Sequence, residues 1–327
     1  YFRLTWATPA ESTPGRTMLY LVRDGARPYH PIMGIASLEN APLHIAARDD
    51  YLGWSLAAFM QKVSAAMSAS AVRTEFSRLE RYIETAIDEL DISELCSAEE
   101  CQNPTPATFQ RLRNIATQSA KKREVALDAW QVRRMEEDFD AEDLAAERSR
   151  LGNISLEAEE ALYRRKRAER LEQLLSARQE LRKLPHSENF DKKWQEFLAT
   201  QSGQATIRNI LRMQKNRHVG TSILELNTCG AVPPYNEVLA GKLTALLMLS
   251  PQVVADYKRR YGERPSDIAS RMQGKDVIRP AEIVFLGTTS LYKTGASQYN
   301  RLKLPSGLLK RDGSEVRWEQ LGETGGY

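Results

Sequence analysis

Between Gly53 and Gly203 the chain carries a single glycine, Gly152. Ala, Leu, Glu, Arg and Lys dominate that stretch, all strong helix formers, and a segment so poor in turn residues cannot be a meander of short strands. Residues 55–200 are therefore expected to be helical, with breaks at Pro104 and Pro106, at Gly152-Asn153 and at Pro185. The expected helices run near 55–95, 107–150, 156–183 and 188–200. Thr105 fits an N-cap with Pro106 at the first helical position. Ser155 fits another N-cap, with Glu157, Glu159 and Glu160 in its positive first turn. Leu171, Leu174, Leu175 and Leu181 make a narrow apolar stripe, suited to a long antiparallel helical hairpin.

The flanks differ. Residues 1–54 read as strands and turns: Met18–Val22 and Ile32–Ala36 are short apolar runs separated by Asp24-Gly25 and a longer loop, which suggests a hairpin. Arg48–Trp54 is a polar knot before the first helix. After residue 201, Ser222–Leu226 reads as a strand, Thr228–Tyr235 as a loop, and Asn236 as the N-cap of a helix carrying Val238, Leu239, Leu243, Leu246 and Leu247. Ser250-Pro251 opens another helix, Glu282–Gly287 is a strand, Gly287–Asn300 a polar loop, and Val316–Leu321 a last strand. Alternating strands and helices are α/β logic. The expected architecture is an α/β mixed-sheet core formed by residues 1–54 and 201–327, with 55–200 as a helical insertion domain.

Length and composition narrow the function classes. The 327 residues are 42% hydrophobic and 27% charged, a globular composition large enough to bury a core without disulfides. Three cysteines, Cys96, Cys101 and Cys229, make no disulfide framework, and a reducing, cytoplasmic setting is expected. The opening Tyr1–Trp6 has neither a basic nor an apolar signal region, and the longest apolar run, Leu243–Leu249, is too short to cross a bilayer, so no membrane role is expected. Charge is uneven. Residues 1–70 carry 6 Lys/Arg and 5 Asp/Glu, residues 71–200 carry 22 and 27, and residues 201–327 carry 18 and 11. An anionic partner such as DNA or RNA is expected at the basic last third, although an excess of this size also fits a normally solvated surface.

Three constellations can carry chemistry. In Asn227–Lys242 a strand end feeds a loop and a helix start, where unpaired N–H groups attract anions; Asn227, Tyr235, Asn236, Gly241 and Lys242 are the candidate contacts. The P-loop spacing is absent, and plain capping explains the same residues. In Thr288–Arg301, Ser290, Tyr292, Ser297, Gln298, Tyr299, Asn300 and Arg301 combine hydroxyl, amide and guanidinium groups suited to phosphate or base contacts. A merely solvated loop spends few aromatics, so the two tyrosines favour a site here. Arg48, Asp49, Asp50 and Trp54 are secondary candidates: paired carboxylates can do acid–base or metal work, or bond Arg48 and cap the next helix. The run Arg164–Arg167 with Arg170 reads either as a nucleic-acid patch or, given nearby acids, as a solvated helix face. Cys96 and Cys101 lack a suitably spaced His, and the four histidines are scattered, so no metal centre or nucleophilic triad is expected.

Several blocks resemble the DruA-like family of the bacterial Druantia anti-phage systems: Met33–Ser37, Ala47–Trp54, Val232–Leu243 with its P-P-Y-N…G-K-L pattern, and Thr288–Tyr292 with Ser297–Arg301. They bracket the chain except for its helical middle. The resemblance implies a role in defence against phage, beside other proteins of such a system, and supplies no catalytic mechanism. A weaker resemblance runs to GNAT-type acyltransferases, including enzymes that modify DNA bases, through the element order from Ile223 to Leu321 and the terminal Trp318–Thr324. Their Q-x-x-G-x-G/A loop is replaced here by Pro-Pro-Tyr-Asn, so that likeness implies a fold and leaves the cofactor unknown. Two functions follow: a nucleic-acid-binding component of an anti-phage system, or a GNAT-like enzyme modifying nucleic acid at the 227–242/288–301 cleft.

Overall fold

The structure is a computed structural model and describes residues 15–64, 68–135, 144–184, 189–238, 240–289, 299–304 and 315–323. Strand β1 (Thr17–Arg23) and β2 (Ile32–Asn40) form the expected hairpin. Its turn is built by Asp24, whose backbone N–H donates to Pro31 O and whose side chain accepts from Ala26 N at 3.0 Å. Next come α1 (Ala46–Tyr51), where the sequence suggested only a polar knot, and α2 (Leu56–Ser64). The helical middle holds α3 (Ala69–Asp88), α4 (Ala98–Gln102), α5 (Pro106–Met135), α6 (Leu144–Arg182), α7 (Phe190–Ala199) and α8 (Gln201–Val219). Then follow β3 (Ile223–Ala231), a 3-10 turn (Tyr235–Val238), α9 (Ala240–Leu247), α10 (Pro251–Tyr261), α11 (Asp267–Gln273), β4 (Phe285–Gly287), a 3-10 turn (Tyr299–Arg301), β5 (Lys303–Leu304) and β6 (Val316–Arg317).

The chain divides into two compact units, one of residues 1–61, 211–264 and 278–327, the other of residues 62–210 and 265–277. The first holds a four-stranded mixed sheet in the order β1-β2-β3-β4, with β1, β2 and β3 antiparallel and β4 parallel to β3. Strands from both flanks of the helical middle thus share one sheet. One face of it packs Ala36, Leu38, Leu224, Leu226 and Cys229 against Ala245 and Met248 of α9 and Val253, Tyr257 and Tyr261 of α10. Ser250 precedes α10 with Pro251 in its first turn, as the sequence suggested. The helix α9 sits so close to β2 that a Cβ on Gly34 would meet Thr244 Oγ1 at 2.1 Å. The last strand does not join this sheet: β6 pairs antiparallel with β5 in a sheet of two.

In the second unit α5 and α6 run antiparallel, with Gln179 Nε2 near the end of α6 bonded to Pro104 O just before α5 at 2.8 Å. Leu171, Leu174, Leu175 and Leu181 are all fully buried, as the stripe required, each contributing roughly 1.5–3 kcal/mol. A second cluster is aromatic: Phe190 and Trp194 stack, and Phe76 meets both edge to face, all with ring centroids within 6.3 Å.

Several expected boundaries are corrected. Gly152 does not end a helix, and Ser155 caps nothing; both lie inside α6. The strong helix formers on either side outweigh the roughly 1 kcal/mol that a glycine costs. Gln201–Val219, expected to belong to the mixed region, is helical. The strand beginning near Ser222 continues through Thr228 to Ala231, because Gly34–Ser37 of β2 pairs with that stretch. The helix after Asn236 starts at Ala240, since Tyr235–Val238 takes a 3-10 turn first. The strand expected over Glu282–Gly287 is ordered as strand only from Phe285.

Candidate functional site

Strand β3 organises the chemistry of the first unit. Ser37 of β2 lies opposite Thr228 and Leu38 opposite Leu226, so Asn227 is an extra residue, a β-bulge. The bulge is pinned by Thr228 N, which donates to Ser37 Oγ at 3.1 Å, and it leaves the Asn227 side chain exposed. Leu38 and Leu226 face the core, so Glu39 and Glu225, paired next in the ladder, face the other side. Both glutamates are buried. Thr289 Oγ1 donates to Glu225 Oε1, while Glu225 Oε2 is buried with no hydrogen-bond partner. Side chains directly opposite on antiparallel strands have Cβ atoms only about 5 Å apart. Sequence reading passed over Glu39 and Glu225; the signal was a carboxylate in each apolar strand run, where alternation alone places a buried face.

Residues at the two ends of the second loop approach β3, and of their described contacts only the one to Cys229 falls within Asn227–Lys242. Thr288 Oγ1 donates to Leu226 O at 3.1 Å, Thr289 reaches Glu225, and Tyr299 reaches the Cys229 thiol. Burial pushes that thiol up to about 12, with the Tyr299 bond opposing. Tyr299 also packs on Trp318, ring centroids 5.0 Å apart, and lies partly buried against the core at this corner. Tyr235 points elsewhere: its hydroxyl donates to Asp24 Oδ2 at 2.9 Å in the β1–β2 turn, and that bond is the chief cause holding the Asp24 carboxyl below its ordinary range. Asn236 is exposed and bonded to Glu237. Gly241 and Lys242 sit half-buried in the first turn of α9, and Asn300 and Arg301 are exposed. Among the described residues neither Lys242 nor Arg301 has an acid partner. Ser290, Tyr292, Ser297 and Gln298 lie outside the described residues.

Among the secondary candidates, Asp49 does bond Arg48, as one reading of the sequence had it. Asp49 is buried, accepts from Arg48 Nη2 at 2.7 Å through one oxygen, and accepts from Lys215 Nζ of α8 at 2.7 Å through the other. Arg48 also donates to Pro42 O and Leu43 O, and Lys215 Nζ lies 3.1 Å from His44 Nδ1. Asp49 therefore does not cap the following helix. Ser55 does, its hydroxyl accepting from Ala58 N at 3.1 Å. Asp50 is exposed, and Trp54 packs on Ala41, Val219 and Ile223 while stacking on His218 at 6.2 Å.

In the second unit three arginines of the basic run are paired with acids. Arg165 bonds Glu169 at 2.7 Å, Arg167 bonds Asp91, Arg164 lies 3.7 Å from Glu94, and Arg170 donates to Tyr82. A cleft of about 1100 Å³ lies beside it, lined by acids and bases alike. Arg164, Arg165 and Arg167 thus meet carboxylates, while Arg170 meets a hydroxyl and Lys166 lies over the Tyr163 ring. Among the described residues no three His, Cys, Asp or Glu side chains group as ligands for a metal. No helix there is long and apolar enough to cross a membrane.

Comparison with known proteins places this arrangement. The family model described as Druantia protein DruA matches residues 1–79 and 209–327, well over half of the chain, and leaves most of the helical middle unmatched. A curated relative, Druantia protein DruA of Escherichia coli (strain UMEA 4076-1), is 32% identical over 106 residues. That match covers 32% of this chain and 22% of the relative, so the stretch they share is about a fifth of that protein's length. No solved structure matches. The matched residues include the bulged β3, the Asp49 network and both polar loops, and the chain belongs to the Druantia protein DruA family.

Proposed function

We propose that the chain serves in bacterial anti-phage defence by binding nucleic acid through its basic C-terminal third, with other proteins of the same system as partners. The observation that carries this reading is the pair Lys242 and Arg301. Each is a cation without an acid partner among the described residues, one in the first turn of α9 and one at the end of the Tyr299–Arg301 turn. A cation without an acid partner is suited to a phosphate oxygen. Family membership supports the defence role. The test is binding to short single- and double-stranded DNA and RNA across a salt series. Lys242→Ala and Arg301→Ala should each weaken binding and flatten the salt dependence by about one unit of slope, with little change in melting temperature. Loss of melting temperature with unchanged binding would move both residues from the site to the scaffold.

A second reading, an enzyme modifying nucleic acid, rests on Glu225. A buried carboxylate with one oxygen unpartnered, opposite a second buried glutamate, is suited to taking or giving a proton. The cofactor of such a reaction is open. Glu225→Gln keeps the shape and removes the base. If the chain is an enzyme, this variant should bind nucleic acid as the parent does yet lose modification of it, read by mass spectrometry of the nucleosides. Equal modification by both proteins would remove Glu225 from the reaction.

A further inference from the structure

We propose that Cys96 and Cys101 form a redox-sensitive pair in the helical unit, closing to an intramolecular disulfide when a low-molecular-weight disulfide is in excess. The geometry follows from how α4 begins. Ser97 is its N-cap: its hydroxyl accepts from Glu100 N at 3.1 Å, and the Glu100 carboxylate accepts from Ser97 N at 2.9 Å. This reciprocal arrangement sets the residue before the cap against the fourth helical residue, the positions an apolar pair ordinarily fills. Here those two residues are Cys96 and Cys101, and their sulfurs lie 2.7 Å apart as free thiols.

Both sides of the pair are held. Leu95 N and Cys96 N donate to Ile92 O, closing the turn before α4. Arg178 of α6 donates to Cys101 O and pairs with Glu84, and Glu100 pairs with Arg111. Cys96 is partly accessible and Cys101 is buried, so an outside reagent meets Cys96 first. The third cysteine, Cys229, is buried against Tyr299 in the other unit and has no thiol near it. Contact with Cys96, with Arg178 adding to it, lowers the Cys101 thiol from its ordinary range, and contact with Cys101 together with burial raises that of Cys96.

The chemistry balances with glutathione disulfide as oxidant. One cysteine thiolate attacks it, forming a mixed disulfide and releasing one glutathione thiolate. The second cysteine, as thiolate, attacks the protein sulfur of that mixed disulfide and releases the second glutathione. Two thiols lose two protons and two electrons, and the oxidant leaves as two reduced molecules. The capping box keeps the second sulfur beside the first, so closure outruns escape of the mixed disulfide.

The test equilibrates the full chain in glutathione buffers from reducing to oxidising. After an acid quench and alkylation, the peptides holding positions 96, 101 and 229 are read by mass spectrometry. The expected result is a Cys96–Cys101 disulfide under oxidising buffer, reversed by dithiothreitol, with Cys229 still alkylated. Cys101→Ser should instead accumulate the mixed disulfide on Cys96, which the parent chain does not. The oxidised parent should also melt higher than the reduced parent, a difference absent from Cys96→Ser. Alkylation of both thiols in fully oxidising buffer would overturn the proposal. A stable glutathione adduct on Cys96 of the parent chain, without closure, would overturn it equally.

Discussion

At the residue scale, what the sequence hid was pairing over distance. Asp49 and Lys215 are separated by most of the helical middle, and nothing local to either says that they meet. Asp before a helix ordinarily caps it, so the capping reading of Asp49 followed a sound rule that a buried ion pair overrode. Glu225 was missed for a related reason: its neighbours are apolar, and one charge in such a run looks like surface until register pairs it with Glu39. The same scale holds a pH prediction. Burial, aided by Arg217 and Arg279, depresses the pKa of His218, which stacks on Trp54. The unfolded chain therefore binds the proton more readily than the folded one. The neutral His218 contributes stability above the ordinary histidine pKa of roughly 6.5, and that contribution is lost as pH falls from there through the folded value. Phe at this position keeps a ring on Trp54 and cannot titrate. The melting temperature of the parent should drop more steeply between about pH 7 and pH 5 than that of His218→Phe. Parallel curves would remove His218 from the pH response.

At the element scale, the helices were legible where the physics is local and illegible where it is not. Thr105 and Pro106 announced the start of α5, and Thr108 N does donate to Thr105 Oγ1. Gly152 announced an end that does not occur. A glycine ends a helix only when the residues after it prefer something else, and Leu156 to Ala161 do not. The extension of β3 past Thr228 was equally invisible locally, because it depends on β2 pairing alongside. The glycine supplies a direct check. Gly152 is exposed, and a Cβ there would meet nothing within 4 Å. Gly152→Ala should stabilise the protein by about 1 kcal/mol, the intrinsic difference between the two residues in a helix interior, read as a higher midpoint in urea at unchanged slope. A destabilised variant would mean that the helix is interrupted at this position after all.

At the scale of the whole molecule, the mixed sheet drawn from both flanks was readable from a composition switch alone, since glycine-poor, Leu/Glu/Arg-rich sequence and turn-rich strand sequence obey different periodicities. Where the units divide was not. Residues 265–277 fall within the turn-rich flank, yet they belong to the helical unit: Asp91 N donates to Met272 O at 3.0 Å, and Arg271 pairs with Glu159 at 2.8 Å. A short helix of seven residues carries too little pattern to declare its partner. The family match stops at residue 79 and resumes at 209, so most of this helical unit lies outside the matched residues. We expect it to behave as a folding unit. A fragment of residues 62–210 should give a strongly helical circular dichroism spectrum, because the α5–α6 pairing and the Phe76–Phe190–Trp194 cluster are intact within it. It should also melt below the same unit completed by residues 265–277 through a flexible linker, because two of its anchoring contacts are missing. A strand-rich or unfolded spectrum would show that the helices depend on the sheet, and equal melting of the two fragments would show that α11 contributes nothing to the unit.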